Sequence, residues 1–214
     1  MNNYRARYPM MPGVFGLLAV ITFLYACGGG GSSSSGGSGS DQGGNATASY
    51  TSHPNVSVNV HKQYYTVHGS GISTLRQDLQ QKGPGGYYAR VTTSISYSYK
   101  TKGNCEIDEI NVNVKSNMLL PQWNPPASAS AQTRSEWSRF ISALVAHETN
   151  HVRIDVDEAE ALASTLQNLP RHSNCGELDG SVKQAHSTAI DRATQRNRAY
   201  DSSTNHGKTE GAVL

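Results

Sequence analysis

Between Glu136 and Leu169 no glycine or proline interrupts the chain. Trp137, Phe140, Ile141, Leu144, Val145, Val152, Leu162 and Leu166 recur there at helical spacing. Thr133 followed by Glu136 has the form of a capping box, and Pro170 closes the run. The pattern predicts one long helix, or two with a bend, over residues 134–168. Upstream the period changes to two. Val56, Val58 and Val60 alternate with polar residues, as do Ala89, Val91, Thr93, Ile95, Tyr97 and Tyr99, and then Ile110, Val112 and Val114. Gly103-Asn104 marks the turn between the last two strands, and Leu75–Gln81 reads as a short helix ahead of Gly83-Pro84. Downstream, Val182, Ala185, Ile190 and Ala193 share one face of a second helix over 180–199. Strands followed by helices predict an α+β domain: an antiparallel sheet in the first half, packed on the long helix and a second C-terminal helix.

The amino-terminal end has a different character. Arg5 and Arg7 precede an apolar run, Val14 to Tyr25, that is too short for a spanning helix. It leads into Leu24-Tyr25-Ala26-Cys27, which has the form of a bacterial lipobox. Residues 1–27 are therefore expected to be a lipoprotein-type signal, with a lipid on Cys27 anchoring the exported chain to a membrane. Gly28 after the cysteine favours the outer membrane in a Gram-negative host. Residues 28–44 are Gly and Ser apart from Asp41 and Gln42, so 28–49 is expected to be a flexible linker. Its r.m.s. reach of roughly 20–25 Å is enough to hold a domain, residues 50–214, off a bilayer.

Charge and cysteines narrow the partners. Removing residues 1–27 takes two of the 18 basic side chains and none of the 16 acidic ones, which leaves the exported chain balanced. With no Lys/Arg cluster, nucleic acid is not an expected partner. In an oxidising compartment Cys105 and Cys175 are expected to pair. Closing that loop contributes about 4 kcal/mol in the chain-entropy picture.

The chemistry lies in His147-Glu148-Thr149-Asn150-His151, an HExxH. Two histidines four apart on a helix lie on one face, one turn apart, and can share a Zn²⁺. Glu148 beside the first is placed to take a proton from a water held by the cation. A third ligand is required. Ile154 stands where the extended HExxHxxGxxH motif turns at a glycine, so the third ligand is expected from a distant segment. Tyr200-Asp201-Ser202-Ser203-Thr204-Asn205-His206-Gly207 follows the second helix and supplies His206 as the leading candidate. Asp201, Glu158 and Glu160 are the alternatives. Tyr200 is a candidate donor to the oxyanion of a tetrahedral intermediate, or else a residue packing this turn. His61 and His68 read as surface residues and His172 as a loop residue, while His186 lies on the second helix within possible reach of the metal. Asp191 or another carboxylate is expected to orient a ligand imidazole.

Several of these residues together resemble a known family. Tyr65-Thr66-Val67-His68-Gly69, Leu75-Arg76, Gly83-Pro84, Tyr97 and Tyr99, Cys105, Leu120-Pro121, His147–His151 and the closing Tyr200–Gly207 resemble the bacterial predicted secreted zinc-dependent proteases, domain-of-unknown-function family 922. The likeness spans residues 55–213. Two departures stand out: Ser96–Tyr99 lacks the family's usual tryptophan, and Glu210 stands where the family often has Gln. The resemblance implies a zinc metallopeptidase acting on protein or peptide substrates. Two other functions fit the same residues: a zinc hydrolase cutting cell-wall amides in peptidoglycan, and a non-catalytic envelope lipoprotein with a closed, structural metal site.

Overall fold

The computed structural model describes residues 21–27 and 50–214. The positively charged start and the Gly/Ser stretch lie outside the described residues. Ile21–Cys27 (β1), Val56–Val67 (β2), Ala89–Lys102 (β3) and Glu106–Trp123 (β4) form one sheet in the order β1-β3-β4-β2. The architecture is α+β, as the patterning predicts, with Ala131–Gln167 (α2) and Cys175–Thr204 (α3) packed over the sheet and Ile72–Lys82 (α1) at its end.

The sheet is mixed, not purely antiparallel. β3 and β4 form an antiparallel hairpin with Tyr97 opposite Val112, but β2 runs parallel to β4 from Val56↔Val112 to Val67↔Trp123. The reason is the connection. Parallel neighbours need a long crossover, and the chain between β2 and β4 runs through α1 and the whole of β3. Period-two patterning specifies which face of a strand is buried and carries no information on the direction of its neighbour.

That face is as expected. Ala89, Val91, Ile95 and Tyr97 of β3 and Ile110, Val112, Val114, Met118 and Leu120 of β4 are buried beneath the helices. Two polar residues share it. Thr93 and Ser116, register partners on adjacent strands, are buried and bond each other at 2.9 Å. An aromatic chain, Trp123–Trp137–Phe140–Tyr88, with ring centroids 5.5–5.7 Å apart, seats the first turns of α2 on the sheet.

α2 is a single helix of 37 residues that starts earlier than the capping-box pattern predicts. Ser130, not Thr133, is the N-cap, and its hydroxyl accepts from the Thr133 amide at 3.1 Å. Ala131 and Gln132 favour helix, so the cap moves back to the next serine that can satisfy the exposed amides. α3 is longer at both ends than its apolar face suggests. Asn174 caps its start through the Glu177 amide, and its last turn takes in Tyr200 to Thr204, which the composition reads as loop. Cys105 and Cys175 are disulfide-bonded, tying the β3–β4 turn to the start of α3. Among the described residues no helix is long and apolar enough to cross a membrane.

Candidate metal centre

Two helical pairs meet where α2 and α3 lie side by side. His147 and His151 are four apart on α2, and Asn197 and Asp201 are four apart on α3. Each pair therefore projects from one face of its helix, one turn apart. The side chains of both histidines are 0 % exposed and that of Asp201 12 %.

Three donor atoms converge. His147 Nε2 and His151 Nε2 are 3.2 Å apart, and Asp201 Oδ1 lies 3.3 Å from the first and 3.1 Å from the second. Around a cation with ligands at ~2.0–2.1 Å, the edge of a tetrahedron is roughly 3.3–3.4 Å. The triangle thus matches one face of a tetrahedral zinc site, and two imidazoles with one carboxylate form a donor set that zinc accepts. His147, His151 and Asp201 form a group able to hold a metal ion.

The tautomers are set from behind. Asn197 Nδ2 donates to Asp155 Oδ1 at 2.8 Å and to the Ala193 carbonyl at 2.9 Å, both pure acceptors when the carboxyl is ionised. Its Oδ1 therefore faces His151 Nδ1, at 2.7 Å, and must accept from it. The proton on Nδ1 leaves the Nε2 lone pair directed at the cluster. His147 is treated alike: its Nδ1 donates to Glu210 Oε2 at 2.7 Å. The Tyr200 hydroxyl donates to the same carboxylate at 2.9 Å and accepts from Asn150 Nδ2 at 2.9 Å. The Tyr200 ring stacks on His147, with centroids 4.8 Å apart and planes at 19°.

Glu210 is held in place by the strap that carries it. Arg139 donates to the carbonyls of Gly211 and Val213 at 2.8 and 2.7 Å, and Arg76 to that of Leu214 at 2.9 Å. Ala212, Val213 and Leu214 are buried. Gly207 is required where the strap passes His147. Its φ is +77°, and a Cβ there would come within 3.0 Å of the His147 Cγ.

Burial lowers the pKa of His151, but the hydrogen bond that its protonated ring makes to the Asp201 carboxylate and the charges of Glu148 and Asp201 outweigh it and hold the imidazole above its ordinary value. Beneath it, burial pushes the Asp155 carboxyl up to about 6, against the pull of the Thr93 hydroxyl and the Asn197 amide.

A family model described as "Bacterial protein of unknown function (DUF922)" matches residues 62–207. The chain belongs to this family. No curated protein and no solved structure matches it. The family match takes in both histidines, Glu148, Asn197, Asp201 and His206, and stops short of Glu210.

The candidate residues are sorted by this geometry. His147 and His151 come together, and Glu148 is fully buried beside them, its charge felt by His151. The third corner of the triangle is Asp201. His206, the leading candidate on sequence, lies outside the group of three, with its Nδ1 3.6 Å from Asp201 Oδ1. The reason is the extra turn of α3: it brings position 201 onto the face of Asn197, while the helix ends at Thr204 and His206 falls beyond it. Glu158 instead accepts from Arg196 at 2.9 Å, and Glu160 from the Ser52 amide at 2.9 Å. The Tyr200 hydroxyl donates to Glu210 and accepts from Asn150. His186 faces the Ile95 carbonyl at 3.0 Å, and Asp191 is exposed. His61 and His68 are exposed, as expected. The orienting roles fall to Glu210, a carboxylate other than Asp191, and to Asn197, neither of which the sequence assigns to that role. The Asn197–Asp201 spacing repeats that of His147–His151, a signal visible only once α3 is known to extend past residue 199.

Proposed function

We propose that this chain is a zinc-dependent peptidase of the bacterial envelope, exported and held at a membrane by a lipid on Cys27; processing before that cysteine would remove all of β1 but its last residue and leave the sheet β3-β4-β2. One observation carries the reading: an equilateral triangle of His147 Nε2, His151 Nε2 and Asp201 Oδ1 with edges of 3.1–3.3 Å, immediately beside Glu148. Among the described residues no fourth His, Cys, Asp or Glu joins the group. Three protein ligands are the catalytic pattern and four the structural one. When bound there, a zinc ion supplies Lewis-acid polarisation of a carbonyl and acidifies water.

The chain's own groups do the rest. The Glu148 carboxylate takes the proton from the attacking water and delivers it to the departing amide nitrogen. Asn197 and Glu210 hold protons on the two Nδ1 atoms, so both Nε2 atoms present lone pairs to the cluster. The buried setting strengthens each of these electrostatic contacts. The Gly/Ser linker suits a domain that must reach substrates away from its anchor.

The test is metal analysis of the purified chain and of Glu148→Gln, with hydrolysis assayed on an unfolded protein and on peptidoglycan. Both proteins should carry one zinc, and the variant should lose roughly 10²-fold or more of its rate on the unfolded protein. A metal-free wild type, or equal rates in the two proteins, refutes the proposal; cleavage of peptidoglycan alone transfers it to cell-wall amides.

A further inference from the structure

We infer that the outer edge of β3, residues 89–95, receives an extended polypeptide substrate as an added antiparallel strand, in the place that β1 holds in the unprocessed chain. The inference rests on the peptidase reading above and on the export that goes with it.

The edge already carries a strand once. Ile21–Cys27 lies antiparallel on β3, from Ile21↔Ile95 to Cys27↔Ala89. Those residues close the apolar run that leads into the lipobox cysteine. Processing before Cys27 takes residues 21–26 away. The backbone donors and acceptors of β3 that β1 satisfied are then left at the rim of the sheet.

Nothing in β3 protects that rim. Edge strands are commonly blunted by proline, lysine or a bulge. Ala89-Arg90-Val91-Thr92-Thr93-Ser94-Ile95 has no proline and no lysine, and the register shift of β3 falls beyond it, at Lys100/Thr101. Val91, Thr92, Thr93 and Ile95 are β-branched and hold the backbone extended. The edge is a regular template for a further strand.

The template ends at the metal centre. α3 packs against β1, so removing β1 opens a slot between α3 and the edge of β3. At one end of the slot His186 Nε2 donates to the Ile95 carbonyl at 3.0 Å. At the other, the Tyr87 ring, just before Ala89, has its centroid 5.8 Å from that of His206, whose Nδ1 is 3.6 Å from Asp201 Oδ1. Between them the inward Thr93 hydroxyl reaches Asp155, the partner of Asn197.

Direction follows from the ladder. β1 runs from the Ile95 end to the Ala89 end, toward the cluster. A substrate strand of the same sense lays the residues on the amino side of the cleaved bond along β3 and brings that bond to the Ala89 end. Main-chain pairing supplies the affinity and tolerates most side chains. It demands an extended polypeptide, which neither a folded domain nor a short cell-wall stem peptide can offer.

The test uses the exported chain, beginning at Cys27, with Glu148→Gln so that a bound peptide is not cut. Hydrogen exchange is followed with and without a synthetic unstructured peptide of roughly a dozen residues, about 40 Å when extended. Amides within residues 89–95 that exchange quickly in the chain alone should slow roughly tenfold or more with peptide, while those of β2, at the opposite edge, should not change. Methylating the peptide nitrogens one at a time should weaken binding about tenfold at alternate positions only, because every second N–H of a strand faces its neighbour. In the wild type, shortening a substrate on its amino side should lower kcat/KM more than shortening it on its carboxyl side. No protection of residues 89–95 by a peptide that the wild type cleaves overturns the inference and leaves the peptidase reading intact. So do equal losses at every methylated position, retention of residues 21–26 in the exported chain, or protection that grows with protein concentration alone, the mark of a second copy. Protection in the variant beside a wild type that cleaves nothing sinks the peptidase reading and keeps the strand-binding edge.

Discussion

Glu210 Oε2 lies 2.7 Å from His147 Nδ1, across 63 residues of chain. The carboxylate thereby determines which nitrogen of His147 keeps its lone pair for a cation. Replacing Glu210 with Ala should weaken zinc binding about 10–100-fold, the usual effect of removing a ligand's orienting partner. Glu210→Gln should lose less, since the amide oxygen still accepts from Nδ1. Competition with a chromophoric chelator measures both, and an unchanged affinity in the Ala variant removes Glu210 from the site.

Asn197 serves two buried partners, His151 Nδ1 at 2.7 Å and Asp155 Oδ1 at 2.8 Å. Asn197→Ala removes the acceptor at His151 Nδ1 and one of the hydrogen bonds to Asp155, which keeps that of Thr93. The metal-free protein should lose about 2–3 kcal/mol of stability, since a buried polar group left without a partner costs about 1–3 kcal/mol. Urea unfolding of the two chelator-treated proteins is the check; a midpoint shift near zero contradicts the hydrogen-bond assignment.

Asp155 and His151 both bind their protons more tightly in the folded chain, Asp155 with its pKa raised to about 6 from 3.8. A raised folded-state pKa stabilises most below the unfolded value, and the contribution is lost as pH rises through the folded one. The metal-free protein should therefore lose stability between pH 4 and pH 7, Asp155 accounting for up to about 3 kcal/mol. Asp155→Asn should flatten that slope. Unfolding curves at the two pH values decide it, and identical slopes in wild type and variant remove Asp155 as the cause.

Protons at His151 also compete with the cation, so affinity should fall as pH drops, beginning higher than for an unperturbed histidine because its pKa is raised. At neutral pH, zinc at a thousandfold excess over its dissociation constant should add about 4 kcal/mol. For a domain of this size that is a rise of about 10 °C in Tm. A chelator should abolish the rise and added zinc restore it. Calorimetry reads the change, and a Tm indifferent to both additions argues against a metal at this site.

Much of this molecule is visible in one dimension. The HExxH pair, the inward faces of β3 and β4, the long uninterrupted α2 and the Cys105–Cys175 bridge are all local spacings or simple pairings, and the structure carries each of them. The direction of β2 is not visible, because a period-two strand buries the same face whichever way its neighbour runs. Nor is the end of α3. Tyr200–Thr204 is polar and reads as loop, yet it is helical because Asp201 and Thr204 are buried against the rest of the fold.

The sequence by itself determined that two imidazoles and a glutamate would share one helical turn, because 3.6 residues per turn dictates it. Only the tertiary structure decided what completes them. Asp201, Asn197 and Glu210 lie 46 to 63 residues from the histidines they serve. Their convergence depends on how far α3 runs and how Arg76 and Arg139 pin the strap beyond it, and no spacing along the chain encodes contacts made across two packed helices.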